Sequence, residues 1–152
     1  MTMKRTFSIL ALLILLINVS NSGFGQASMS FQFSSLSKLG IAYNFSPRVW
    51  SELRIYSNTF IEDITAELAV LYNVSVKDQH EFYIGIGAVA NYFSGIIIPI
   101  GLQFRPIENF KRFSLQIEFE PTIDIGNENL ILQSSAGIRY TFGKNKSNNP
   151  DR

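Results

Sequence analysis

The sequence predicts an all-β chain closed into an eight-stranded antiparallel up-and-down transmembrane β-barrel. Three observations predict it. After an apolar N-terminal leader, strand-length segments alternate apolar and polar residues with period two and are separated by turn residues. No later apolar run approaches the ~20 residues of a spanning helix, so a chain entering lipid must satisfy its backbone between strands and leave no edge. Aromatic residues make up 13% of the 152 residues, with 13 Phe and 6 Tyr against one Trp, and they gather near strand ends.

The leader comes first. Lys4 and Arg5 form a basic start, Phe7 to Ile17 is apolar but for Ser8, and Gly23-Phe24-Gly25 is small enough for cleavage before Gln26. Residues 1–25 read as a cleaved signal peptide, with the fold beginning after Ala27. The apolar run is too short for a membrane anchor. Removal of the leader takes away two cations and moves the formal net charge from +1 to −1, which leaves no electrostatic case for nucleic acid. There is no cysteine, hence no disulfide, no thiol chemistry and no thiol for a lipid anchor.

The barrel is expected over residues 26–142. Strands are placed near Ser28–Ser34, Ser37–Phe45, Val49–Ser57, Ile64–Val74, His80–Asn91, Gly95–Phe104, Phe113–Pro121 and Leu130–Phe142. Ser46-Pro47-Arg48, Lys77-Asp78-Gln79, Ser94-Gly95, Arg105-Pro106 and Gly126-Asn127-Glu128-Asn129 supply the turns. The first strand is the critical one. Met29, Phe31 and Phe33 alternate with Ser30, Gln32 and Ser34, and without this strand the count would be seven and the barrel could not close evenly. Pro99 falls inside an otherwise regular strand and predicts a bulge or a local break in pairing. Residues 143–152 are rich in Asn, Lys and Ser and read as a disordered polar tail.

Period two then sorts the side chains. One face carries Leu39, Ile41, Leu53, Ile55, Leu68, Val70, Ile84, Ile86, Leu102, Leu115, Ile117 and their neighbours without a charge. The other carries Glu52, Arg54, Glu67, Glu118, Glu120 and Arg139, with Gln103, Arg105 and Gln116, and between them the small residues Gly40, Ala42, Gly85, Gly87, Gly101 and Gly137. A soluble barrel with an apolar interior would show the same period. Two features favour apolar-outward. Small residues alternate with long polar ones, as filling a narrow lumen requires, and the aromatics mark strand ends. An eight-stranded lumen is filled by side chains and is not a pore, and its charges must pair because an unpaired buried charge is very costly. A Glu–Arg network of Glu52, Arg54, Glu67, Glu118, Glu120 and Arg139, with Arg105 as a further candidate, is therefore expected at mid-barrel. With both termini on the periplasmic side, one aromatic girdle comprises Tyr43, Phe45, Trp50, Tyr72, Phe82, Tyr83, Phe104, Phe110, Phe113, Tyr140 and Phe142. Tyr56, Phe60, Tyr92, Phe93 and Phe119 mark the opposite rim.

The last strand has the clearest two faces. Leu132, Ser134, Ala136, Ile138, Tyr140 and Phe142 alternate with Ile131, Gln133, Ser135, Gly137, Arg139 and Thr141. Its end, Ser135-Ala-Gly137-Ile-Arg-Tyr140-Thr-Phe142, resembles the terminal-strand signal of Gram-negative outer-membrane barrels. With Leu39-Gly-Ile-Ala-Tyr-Asn-Phe-Ser-Pro-Arg48 and Ile98-Pro-Ile-Gly-Leu102, the pattern resembles the small outer-membrane barrel proteins of Bacteroidetes-type bacteria, of the OmpA-transmembrane and OmpX type. The resemblance implies residence in the outer membrane of a Gram-negative bacterium, contact with its lipid and with its assembly machinery, and a monomeric structural or interaction role. Gly137, Tyr140 and Phe142 would be the assembly signal. Family members often carry long extracellular loops, whereas Asn58–Asp63 and Thr122–Asn129 are short, which argues against adhesin or receptor roles.

No reaction is indicated. His80 is the sole histidine and lies at a strand start among turn residues, without the nucleophile and orienting partner that a general base needs. One His and no Cys make no metal site. Gly85-Ile-Gly87 lacks the third glycine and the helix of a nucleotide loop. The sequence therefore predicts no enzyme and no cofactor. A membrane-embedded lipid-modifying enzyme and a secreted soluble barrel for a small apolar ligand are the alternatives.

Overall fold

The computed structural model describes residues 26–57, 64–91, 94–126 and 129–142. The expected signal peptide, the polar tail, the Asn58–Asp63 loop and the rim aromatics Phe60, Tyr92 and Phe93 lie outside them. Nine hydrogen-bonded segments follow in order: β1 (Gln26–Phe33), β2 (Lys38–Asn44), β3 (Val49–Tyr56), β4 (Ala66–Val76), β5 (His80–Ala90), β6 (Gly95–Ile97), β7 (Ile100–Phe104), β8 (Phe113–Asp124) and β9 (Leu130–Thr141). Each pairs antiparallel with its neighbours, and β6 and β7 are two halves of one wall strand, each lying between β5 and β8. The result is a closed eight-stranded antiparallel barrel.

Closure rests on β1. It pairs with β9 from Ser28↔Thr141 to Phe33↔Ala136 and with β2 from Gln26↔Asn44 to Gln32↔Lys38. Gln26 and Ala27, ahead of the strand start placed near Ser28, are part of this strand. Both pair with β2, and the Ala27 carbonyl also accepts from Phe142 N at 2.8 Å, which is reason enough for the strand to begin there. The tight β1–β2 turn is built by serines: Ser34 Oγ accepts from the Leu36 amide at 3.1 Å and donates to the Leu36 carbonyl at 2.6 Å.

The break between β6 and β7 falls at Ile98-Pro99. Proline has no N–H to give the ladder, but its carbonyl still accepts from Gly85 N at 2.8 Å, and Ile98 N donates to the Pro121 carbonyl at 3.0 Å. The wall stays sealed while its register is interrupted. At the other end of the molecule β4 shifts register against β5 between Asn73 and Ser75. β8 runs past Pro121 to Asp124, so the loop expected from Thr122 begins only at Ile125.

Apolar side chains form the outside. Ile117 is 65% exposed, Ile86 62% and Leu132 60%, and the exposed apolar belt runs round every wall strand. The interior is polar. Glu52, Arg54, Glu67 and Thr65 are completely buried, and Gln32, Lys38, Gln116, Glu118 and Arg139 nearly so. The barrel, with no helix among the described residues, thus inverts the usual rule, with the apolar face turned away from the core.

Three rim aromatics are placed differently from expectation. Trp50, Tyr56 and Tyr83 point into the lumen and are buried. Trp50 and Tyr56 share parity with Glu52 and Arg54 on β3, and Tyr83 shares parity with Gly85 and Gly87 on β5. Each has a polar tip that finds a partner inside, as a buried Trp or Tyr requires. Outside, Phe45, Tyr72, Phe82, Phe104, Phe110 and Phe142 remain exposed at the end that holds both termini. There Tyr43–Phe45 and Tyr140–Phe142 stack edge-on with centroids 5.2 and 5.1 Å apart.

Candidate functional site

The lumen concentrates the charges of the fold. β3 points alternate residues inward, so Glu52 and Arg54 both enter the barrel, and the β3–β4 register sets Arg54 directly opposite Glu67. β8 supplies Glu118 and Glu120 from across the lumen, and β9 supplies Arg139.

Arg54 is the hub. Its Nη1 lies 2.7 Å from Glu67 Oε1, 2.8 Å from Glu118 Oε1 and 3.0 Å from Glu120 Oε2. Its Nη2 lies 2.8 Å from Glu118 Oε2, and Nε donates to Glu52 Oε2 at 2.9 Å. The two nitrogens on Glu118 form the bidentate fork that makes Arg–carboxylate pairs directional. Two further cations share the acids. Lys38 Nζ bridges Glu67 Oε2 at 2.8 Å and Glu120 Oε1 at 2.6 Å, and Arg139 Nη2 sits 2.9 Å from Glu52 Oε2. Four carboxylates therefore meet three cations in a space where Arg54 is 0% exposed.

Neutral donors and rings complete the cluster. Tyr83 Oη donates to Glu118 Oε2 at 2.8 Å, Tyr56 Oη to Glu67 Oε2 at 3.1 Å, and Ser30 Oγ to Glu52 Oε1. The Arg139 guanidinium lies over the Trp50 ring at 3.9 Å, and Lys38 faces the Tyr56 ring at 4.9 Å. Trp50 Nε1 donates to Asn73 Oδ1 at 3.2 Å. Small residues make room for these groups: a Cβ added at Gly101 would run into the Tyr83 ring.

All six residues expected in the network face one another. Arg105 does not join them. It pairs with Glu81 at 2.6 Å near the end that holds the termini, where both are only half-buried. Lys38, Tyr56, Tyr83 and Ser30 were not anticipated as network members. Parity alone carries the signal, because Lys38 alternates inward with Gly40 and Ala42, and Ser30 with Gln32.

The remaining sequence features fall at the margins. Gly137 is buried on β9, where an added Cβ would meet the Phe31 carbonyl and Gln32. Tyr140 and Phe142 lie on the outside at the strand's end, with Phe142 exposed. His80 begins β5, and its carbonyl accepts from Lys77 N at 2.9 Å. Among the described residues no three His, Cys, Asp or Glu side chains are placed to hold a metal ion.

This geometry suits burial of charge inside a wall facing an apolar medium. The chain is similar to the N-terminal β-barrel domain of Pseudomonas aeruginosa OprF, with a TM-score of 0.56 at 12% identity, over 78% of this chain and 96% of that one. The likeness is one of fold. It also aligns with a structure from the de novo design of transmembrane β-barrels at a TM-score of 0.49 and 16% identity, over 80% of this chain and 98% of that one. No protein-family model and no curated protein matches the chain.

Proposed function

We propose that the protein is a monomeric outer-membrane β-barrel of a Gram-negative bacterium, with a structural or interaction role and no open pore. The observation that carries this reading is the inversion of the barrel: a continuous exposed apolar belt outside and a cross-linked ionic cluster inside. A belt of that extent in water would be an aggregation liability, whereas lipid covers it. The secreted soluble reading needs an apolar interior for its ligand, and the lumen instead buries Glu52, Arg54, Glu67 and Lys38.

In this reading the end with both termini faces the periplasm, and the aromatics outside it sit at the membrane interface. Gly137, Tyr140 and Phe142 are read by the assembly machinery. The lumen stays shut because Arg54, bound to four carboxylates, blocks its middle. The role is therefore not transport through the lumen.

Heat-modifiable gel migration of detergent-extracted protein tests the reading. A closed barrel runs compact in detergent and shifts mobility only after boiling. Recovery of the mature chain from the aqueous periplasm without detergent, with no heat shift, would end the proposal.

A further inference from the structure

At the end that holds the termini, the lumen opens into a polar vestibule of about 230 Å³ below the Trp50–Arg139 pair. Arg105, Lys111, Arg112 and Arg139 line it, and Glu81 is the single carboxylate among its lining residues. Glu81 is taken by Arg105 at 2.6 Å, and Arg139 is paired with Glu52. Neither Lys111 nor Arg112 has an ion-pair partner among the described residues. The vestibule thus carries positive charge in excess.

Two buried donors in it also lack partners. Ser28 is 1% exposed and Arg139 4%, and both Ser28 Oγ and Arg139 Nε are without a hydrogen bond. Unpartnered polar atoms also occur elsewhere in the lumen, at Gln32, Ser114, Gln116, Thr122 and Gln133, but Ser28 and Arg139 line a cavity that free cations share, and the two observations together point to an anionic occupant. Ser28 comes from β1, Arg139 from β9, and Lys111 and Arg112 from the segment joining β7 to β8, contiguous parts of the wall, since β1 pairs with β9 and Thr141 N donates to the Arg112 carbonyl.

We infer that this vestibule binds a phosphate group, either of a small phosphoester or of a phospholipid head group. Guanidinium, ammonium and hydroxyl donors grouped at one cavity suit an oxyanion with several acceptor oxygens, and Arg is the residue that best recognises a phosphate. A cavity of about 230 Å³ lies below the ~300–1,000 Å³ of sites for drug-sized ligands, so it takes the phosphate and its immediate ester rather than an extended molecule. This inference depends on the cavity alone and stands whichever side of a membrane the termini occupy.

The test titrates full-length mature protein in maltoside micelles with glycerol 1-phosphate, chloride holding the ionic strength constant. Binding is read by calorimetry and by the fluorescence of Trp50, the chain's one tryptophan. Phosphatidylglycerol added to the same micelles forms the second arm. Saturable binding is expected in at least one arm. Arg112→Gln should weaken it at least about tenfold, the scale of one lost charge-assisted hydrogen bond. Ser28→Ala should weaken it several-fold. Arg48→Gln, an exposed cation at the same end that does not line the cavity, should leave it unchanged. Saturation by glycerol 1-phosphate marks a soluble phosphoester, and saturation by phosphatidylglycerol alone marks a lipid head group. If Arg112→Gln loses its heat-modifiable compact form, Lys111→Gln and Ser28→Ala decide in its place. Absence of saturation in both arms, or equal weakening by Arg48→Gln and the vestibule variants, overturns the inference.

Discussion

Arg54→Met removes the hub of the lumen and leaves its four acids with Lys38 and Arg139. The cost follows from who keeps a cation. Glu67 and Glu120 retain Lys38, and Glu52 retains Arg139. Glu118 loses its only cation and keeps Tyr83 at 2.8 Å. One carboxylate is orphaned, not four. Breaking a buried pair by removing one partner costs about 3–5 kcal/mol, and with Arg54 at 0% exposure solvent screening does not soften it. The barrel should therefore lose about 3–5 kcal/mol, roughly two to three and a half decades in its unfolding constant. Guanidinium unfolding in detergent micelles, followed by Trp50 emission and checked for reversibility, measures it. Adding Glu118→Gln should restore about 2 kcal/mol, because a neutral amide is left in place of the orphaned charge. A loss under about 1 kcal/mol for Arg54→Met, or strict additivity with Glu118→Gln, would mean that Arg54 does not hold the lumen acids together.

Four further outcomes are expected. Leu68→Arg places a charge on the outward face of β4, where Leu68 is 55% exposed, and should cost about 2–4 kcal/mol of insertion in liposome assembly assays. Ser114→Ala, on the inward face and without a hydrogen bond to lose, should assemble like wild type in the same assay. Gly101→Leu should destabilise by about 1–3 kcal/mol in denaturant titration, because the new side chain displaces the Tyr83 ring. Tyr140→Ala with Phe142→Ala should lower outer-membrane levels on quantitative blots, while deletion of residues 143–152 leaves them unchanged. The opposite pattern would show that the aromatic pair is not what the assembly machinery reads.

Much of this architecture is legible in the residues, and the limits have physical causes. A strict period of two sorted Leu53 and Leu68 outward and Glu52, Arg54 and Glu67 inward, because a strand admits only two directions. Pro99 announced a break in pairing, since it cannot donate to the ladder, and the break lies there. Met29, Phe31 and Phe33 alternating with Ser30 and Gln32 carried the first strand, which closes the barrel against β9. The aromatics were harder. Phe has one home in such a fold, but Trp50, Tyr56 and Tyr83 have polar tips that lumen acids and amides satisfy. Position near a strand end was a weaker guide than parity. Lys38 was hidden in the same way: near the start of its strand nothing in the spacing names a partner, yet it reaches Glu120 on the far wall. Side chains that meet across a lumen come from strands distant in sequence, and neither spacing nor period records who meets whom. Arg105 shows the converse, an inward-parity cation that lies too near the barrel end to reach the central acids and pairs with Glu81 instead.

In the proposed orientation the apolar face meets lipid and the charged face fills the lumen. The chain has no cysteine, so single cysteines at positions 68, 69 and 70 can carry a nitroxide without background. The decisive measurement is the accessibility of each label in liposomes to oxygen, which concentrates in lipid, against a water-soluble nickel chelate. High oxygen accessibility is expected at 68 and 70 and little access to either reagent at 69, because Leu68 and Val70 are exposed and Ala69 is 0% exposed on the inner face. Oxygen accessibility peaking at 69, with 68 and 70 shielded, would contradict it.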